Sequence, residues 1–158
     1  MENPHIAISA LTAADAPLLE AMLTMFADAF DEPETYNNAR PSRAYLSRLL
    51  ARDTFIALAA LDGEAVVSGL CAYVLDKFEQ ERSEIYVYDL AVAETYRRRG
   101  IATALIAKLQ RLSAERGAWV IFIQADHGDE PAIALYSGLG RREQVLHFDI
   151  PVPPAPAR

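Results

Sequence analysis

The chain has 158 residues, 52% of them hydrophobic, which is one domain's worth of chain with apolar surface for a sizeable core, so disorder and a two-domain enzyme are disfavoured. Lys and Arg number 15 against 22 Asp and Glu, a net charge of −7. A nucleic-acid surface would therefore have to be very local, and the protein's field draws cations instead. Cys71 is the single cysteine, and His5, His127 and His147 lie far apart, so neither a disulfide framework nor a metal-ligand cluster is expected. Met1-Glu2-Asn3-Pro4 lacks the basic flank and apolar core of a signal peptide. The longest uncharged, largely apolar stretch, residues 65–75, is too short to span a bilayer, so a soluble, cytoplasmic protein is expected.

A short apolar stretch at residues 6–8 precedes Thr12 and Asp15, either of which can cap a helix with Leu19, Leu23, Phe26 and Phe30 on its apolar face. Acidic residues and Pro33 break that helix, and Asp31-Glu32-Pro33-Glu34-Thr35-Tyr36 reads as a loop before a second short helix over about residues 42–50. Residues 54–61 and 65–75 are rich in strand formers and flank Asp62-Gly63, a tight-turn signal, which makes them antiparallel neighbours. After a charged connection at residues 77–83, the run Glu84-Ile85-Tyr86-Val87-Tyr88-Asp89-Leu90-Ala91-Val92 reads as a central strand, apolar or aromatic on both faces. Its two acids stand out.

Residues 93–96 form a short loop into Arg97-Arg98-Arg99-Gly100. A helix follows, with Ile101, Leu105, Leu109 and Leu112 on one face and Gly117 just past its end. A strand is predicted over residues 119–125. An acidic loop, 126–130, opens a short helix at Pro131 that ends around residues 138–140. A last strand is predicted over about residues 144–150, and residues 151–158 are a Pro-rich, extended tail. There is no internal repeat. The order predicts one α/β domain over residues 1–150, a mixed and largely antiparallel sheet with helices on both faces.

A buried strand feeding a Gly-containing turn and then a helix is a phosphate-binding geometry, because a helix N-terminus presents unpaired N–H groups and partial positive charge. Neither the mononucleotide P-loop pattern nor the dinucleotide G-x-G-x-x-G follows any strand. The pattern present is R-x-x-G-x-A. Arg97-Arg98-Arg99-Gly100-Ile101-Ala102, after Tyr88-Asp89-Leu90-Ala91-Val92, resembles the acetyl-CoA signature of the GCN5-related N-acetyltransferases, and Ala132-Ile133-Ala134-Leu135-Tyr136 matches that family's later A-x-x-L-Y helix. The resemblance covers nearly the whole chain. At closer range, residues 54–60, 78–80, 82–86, 88–92 and 124–126, with the ending His147-Phe148-Asp149-Ile150, resemble the type I aminoglycoside 3-N-acetyltransferases, which implies gentamicin-type substrates.

The resemblance implies that Leu90, Ala91 and Val92 pair with the pantetheine arm, one backbone N–H there holding the thioester oxygen. Arg97, Arg98, Arg99, Gly100, Ile101, Ala102 and Thr103 would cradle the pyrophosphate, with Gly100 permitting close approach. The plain alternative for the arginines is a solvated basic turn. Tyr136 matches the tyrosine near the sulfur that can protonate departing CoA; otherwise it is a half-buried core residue. Asp129 stands where the superfamily often has Asn, and Arg141 where Phe is frequent.

An ammonium cannot attack a thioester, so such an enzyme must bind a cation and remove its proton. Asp89, in a strand that reads as buried, is the first candidate base or amine-orienting group, and Glu84 the second. Alternation places the two on opposite faces unless a bulge intervenes. The alternative for Glu84 is a pair with a nearby Arg such as Arg82. Aminoglycosides carry several ammonium groups, and Asp126, Asp129, Glu130 and Asp149 are the expected carboxylates, with Asp31, Glu32 and Tyr36 at the rim. Each acidic run also reads as a solvated loop, and His127 and His147 as incidental. Two other readings stay open: acetylation of another amine, such as a polyamine or a protein N-terminus, and a non-catalytic acetyl-CoA-binding module. Dimers are common among relatives, which makes a homodimer a candidate assembly that no sequence feature fixes.

Overall fold

Strand-forming runs joined by a two-residue turn and then by a six-residue connection dictate a meander, and a computed structural model of the chain, which describes residues 5–158, shows one. Met1–Pro4, read above as lacking a leader, and the start of the 1–150 domain lie outside the described residues. The elements are β1 (Ile6–Ala10), α1 (Ala16–Ala29), α2 (Pro33–Asn37), α3 (Arg43–Leu50), β2 (Phe55–Asp62), β3 (Ala65–Asp76), β4 (Ser83–Val92), α4 (Ile101–Glu115), β5 (Ala118–Ile123) and α5 (Glu130–Leu139). Gln124 closes one compact unit and Ala125 opens a second.

In the first unit the sheet order is β1-β2-β3-β4-β5, antiparallel up to β4 and parallel between β4 and β5. The predicted hairpin forms one residue later than expected. Asp62 pairs with Ala65, so Gly63 and Glu64 make the turn, with Gly63 at φ 61°. Helix α4 is the crossover between the parallel strands, and its face of Ile101, Leu105 and Leu109 is buried on Ile56, Leu58, Leu70, Ile85 and Val87. The other face of the sheet, through Ala57, Ala59 and Cys71, packs on α1 and α3. The buried side of α1 is Leu19, Met22, Met25 and Phe26, with Leu23 and Phe30 only partly covered.

Both candidate caps of the first helix act. Thr12 and Asp15 form a reciprocal capping box around a 3₁₀ turn, and α1 begins one residue later. Asp31, at φ 52°, ends the helix in the left-handed conformation that Asp tolerates. The predicted loop over residues 31–36 is instead largely helix α2, because Pro33 at its first position is set for helical φ and has no N–H to leave unpaired. Arg40 reaches back to Thr24 (2.6 Å) and Arg43 to Glu20 (2.9 Å), holding α2 and α3 to α1.

In the second unit Asp129 caps α5, its side chain accepting the Ala132 N–H at 3.3 Å, with Pro131 in the first turn as expected. The strand predicted over residues 144–150 does not form: residues 141–158 carry no helix or strand. A strand exists only through hydrogen bonds to a neighbour, so an alternating pattern does not make one by itself. No described helix is long and apolar enough to cross a membrane.

Candidate active site

The two acids of β4 lie on one face of the sheet. Tyr73 pairs with Tyr86 and Ala72 with Val87, but Cys71 pairs with Asp89, so one residue of β4 is extra and the strand bulges at Tyr88. Side chains alternate along a strand, so one extra residue reverses the parity beyond it. Ile85 and Val87 point to α4. Asp89 is thereby turned away from them, to the face of Cys71, Tyr73, Tyr86 and Glu84, while Leu90 and Val92 return to the α4 side.

Tyr36, from α2, meets Asp89 there and donates its hydroxyl to Oδ1 at 2.9 Å. Its ring is held against Phe26 and Phe30, with centroids 6.0 and 5.7 Å away. Burial pushes the Asp89 carboxyl above the usual range, the Tyr36 hydrogen bond partly opposes this, and the charge of Glu32 adds to it. Burial and the neighbouring carboxylate push the Tyr36 phenol up in turn, so it remains a donor. Burial, aided by Asp89, raises the Cys71 thiol and leaves it an inert core group against Met22.

Beside Asp89 stands an aromatic wall absent from the sequence reading. Tyr88 meets Tyr73 and Tyr86 edge to face at 6.0 and 5.4 Å; Tyr86 stacks on Phe122 at 4.6 Å and donates its hydroxyl to Gln124 at 2.9 Å. Phenol rings and a carboxylate on an open face suit an ammonium group. The available signal was the alternation of Tyr86 and Tyr88 with Ile85 and Val87: amphipathic rings on one parity, aliphatic residues on the other.

Glu84 shares the face but not the place. It lies five positions before Asp89, roughly 15 Å along a strand, and 3.9 Å from Lys77, which also meets Glu79 at 3.7 Å. The ion-pair reading of Glu84 holds with a different partner. Arg82 instead lies over Trp119, 4.1 Å from the ring centroid.

Next to Asp89 the sheet opens. The β4–β5 register ends at Val87 and Ile123, so β5 does not pair with residues 88–92, Leu90, Ala91 and Val92 among them. The turn that follows has two left-handed residues, Arg98 (φ 62°) and Gly100 (φ 76°), the latter being the N-cap of α4. The first helical hydrogen bond runs from Ala104 N–H to Gly100 carbonyl at 3.0 Å, which leaves the N–H groups of Ile101, Ala102 and Thr103 without helical partners. Arg97 and Arg99 are engaged in the turn, through the Val92 carbonyl (3.1 Å) and the Thr95 carbonyl (2.9 Å). Tyr96, under Arg99, anchors it to Asp62 at 2.6 Å. A nest of N–H groups beside an open strand edge fits a diphosphate joined to an amide-bearing arm, as acetyl-CoA has.

In the second unit Asp126, Asp129 and Glu130 gather at the start of α5. Asp129 is occupied as its cap, and the Asp126 carbonyl accepts the Asp129 N–H at 3.2 Å. Tyr136, two turns along, is half-buried; burial, with a smaller effect of Asp129, pushes its phenol up to about 12. Asp149 belongs to the exposed terminal segment and lies 2.9 Å from His147. His127 falls in the turn before α5, among exposed residues.

Residues 19–140 match the model of the Acetyltransferase (GNAT) family. An aminoglycoside acetyltransferase from an uncultured soil metagenomic sample is 60% identical, covering 93% of this chain and 98% of that one, with a TM-score of 0.91. A second such enzyme from soil, solved in complex with sisomicin, is 30% identical over 93% of this chain and 96% of its own, with a TM-score of 0.86. An N-alpha-acetyltransferase of Sulfurisphaera tokodaii is 29% identical over 122 residues, 70% of this chain and 68% of that protein. The mixed sheet is thus that of a shared fold, and the chain belongs to the GNAT acetyltransferase family, which uses acetyl-CoA.

Proposed function

We propose that this chain transfers acetyl from acetyl-CoA to the 3-amino group of the deoxystreptamine ring of gentamicin-type aminoglycosides, and so confers resistance to them. The observation that carries the reading is Asp89, placed by the β4 bulge on an open aromatic face next to the strand edge and held there by Tyr36. The similarity to soil aminoglycoside acetyltransferases supports the substrate class. The 3-amino position rests on the segment resemblance and the His147-Phe148-Asp149-Ile150 ending. The acetyltransferase domain is residues 1–150, with 151–158 as a tail.

Acetyl-CoA supplies the acetyl group. The N–H groups of Gly100, Ile101, Ala102 and Thr103, with Arg98, hold its diphosphate, while Arg97 and Arg99 shape the turn. Leu90, Ala91 and Val92 present the backbone that receives its arm. Asp89 binds the acceptor ammonium and takes its proton, a role suited to a carboxyl whose affinity for protons burial has raised. Tyr36 positions Asp89, and Tyr73, Tyr86 and Tyr88 face the cation. Glu84, tied to Lys77, contributes charge rather than proton transfer. Tyr136, protonated over the whole working range, donates to the leaving sulfur. Asp126, Asp129, Glu130 and Asp149 meet the further ammonium groups.

A second reading, with a protein N-terminus as acceptor, is favoured by the N-alpha-acetyltransferase relative. The test follows thiol release from acetyl-CoA with gentamicin, a 3-amino-blocked aminoglycoside, spermidine, an N-terminal peptide, or no amine. Fast release with gentamicin that vanishes with the blocked drug is expected. Release with the peptide alone supports the second reading, and equal release with the blocked drug refutes the 3-amino assignment.

A further inference from the structure

Proton transfer at Asp89 leaves Glu84 without a task, although both stand on the same open face of β4. The Glu84 side chain is only 20% exposed, and a carboxylate covered to that extent ordinarily draws short, charge-assisted hydrogen bonds. Its partner is instead the Lys77 ammonium at 3.9 Å, which also stands 3.7 Å from Glu79. Both separations exceed hydrogen-bond length, so one ammonium lies loosely between two carboxylates. The backbone keeps it there: the Lys77 N–H donates to the Arg82 carbonyl at 2.9 Å and closes the connection between β3 and β4. From Glu84 to Asp89 the face is paved with rings. Phe122 stacks on Tyr86, Tyr86 meets Tyr88, and Tyr88 meets Tyr73, with Tyr73 and Tyr88 exposed.

On the aminoglycoside reading above, we propose that Glu84 and Glu79 form a second cation site for an ammonium group of the acceptor remote from the one acetylated, and that Lys77 fills this site until the acceptor displaces it. The lysine ammonium marks where an ammonium is stable on this face. Two carboxylates around one lysine leave a net negative charge, which draws a further cation. Displacement costs little, because the lysine contacts are long and its flexible stem lets the charge swing into water. An ammonium fixed on a rigid sugar ring can approach to about 2.8 Å and surrenders less freedom than a lysine side chain does. Asp89 then reads the amine to be acetylated, the tyrosine rings carry the apolar faces of the sugars, and Glu84 reads the far end, roughly 15 Å away. A single-ring amine satisfies one end alone, whereas several linked rings satisfy both. Lys77 and Glu84 thereby select for the length of the acceptor.

The test measures binding by calorimetry, with CoA present, of gentamicin and of 2-deoxystreptamine, its central ring alone. Glu84→Gln keeps the shape and removes the charge. It should weaken gentamicin about tenfold, the size of one lost charge-assisted hydrogen bond, and 2-deoxystreptamine less than about twofold. Lys77→Met keeps the stem and removes the competing cation, and it should tighten gentamicin about fivefold with 2-deoxystreptamine little changed. Melting temperatures show that both variants are folded. A lysine that only braces the loop would lower the melting temperature and leave gentamicin affinity in place, which overturns the displacement. Glu84→Gln with unchanged gentamicin affinity, or with equal weakening of both compounds, overturns the second site. Binding of neither compound to the unaltered chain refutes the aminoglycoside reading and the site with it. The expected pattern of binding without thiol release refutes the reaction alone and upholds the site.

Discussion

Removing one oxygen from Tyr36 isolates the contact between α2 and β4. Tyr36→Phe keeps the ring among Phe26 and Phe30 and deletes only the 2.9 Å donor to Asp89. A hydrogen bond to a charged group contributes about 1.5–3 kcal/mol, and the lower end applies to a pair that is only part-buried. At 1.36 kcal/mol per pH unit, loss of about 1.5 kcal/mol makes Asp89 easier to protonate by about one pH unit. The sign follows because the lost donor favours the ionised form, so nothing then opposes burial and Glu32. The acid limb of kcat/KM with an aminoglycoside should therefore move up by about one pH unit, with the plateau above it little changed. A carbon-13 titration of the Asp89 carboxyl reads the same quantity without substrate. A limb and a titration that both stay in place would refute the coupling; a titration that moves while the limb does not would show that another group governs the rate.

Asp89→Asn should leave acetyl-CoA affinity intact by calorimetry and lower kcat/KM for the amine by a hundredfold or more, on the order expected for a lost general base. It should also stabilise the fold at neutral pH, because ionised Asp89 is raised above its unfolded value of 3.8. That advantage should vanish below about pH 4 and grow until pH passes the folded value, as read by melting temperature across pH. Gly100→Ala meets no atom within 4 Å, yet its φ of 76° puts the cost in the backbone, about 1–2 kcal/mol by urea unfolding, with weaker CoA binding. Unchanged CoA affinity would remove the turn from the cofactor site. Tyr136→Phe should slow turnover up to about a hundredfold with CoA affinity unchanged, and an unaltered rate removes it from the mechanism. Gly69→Ala drives a methyl to 2.6–2.8 Å from the Met22 side chain, and should cost about 1–3 kcal/mol of stability, less in a Met22→Ala background.

The elements that periodicity and turn chemistry specify were legible in the sequence: α1, the β2–β3 hairpin, α4 with its apolar stripe, and α5 behind Pro131. Residues 31–36 were misread because Pro33 both ends one helix and starts another, and only its position in the turn tells which. Residues 144–150 have a strand's pattern, but pairing is not a property of the segment alone. Asp89 was visible as an acid in an apolar run, whereas its orientation was not, since a bulge exists only relative to the partner strand, here at Cys71 and Ala72. Its contact with Tyr36 joins residues 53 apart in sequence, and no local pattern reports such a distance. The arginines of the turn suggested phosphate attraction, and the structure shows two of them each donating one N–H to a backbone carbonyl.

The extra residue at Tyr88 also constrains how this protein can vary. Before it, β4 presents Ile85 and Val87 to the core, and beyond it Leu90 and Val92 do so. Deleting Tyr88 restores simple alternation and leaves Leu90 and Val92 inward and Asp89 outward, so the segment can lose this one residue without turning a side chain over. Pairing the strand without a bulge while keeping all its residues does the opposite, driving Asp89 into the aliphatic layer and turning Leu90 and Val92 out of it. A single added residue without a second bulge reverses the same faces, so working variants should lack one-residue insertions in residues 85–92, even where loops such as 77–82 tolerate them freely.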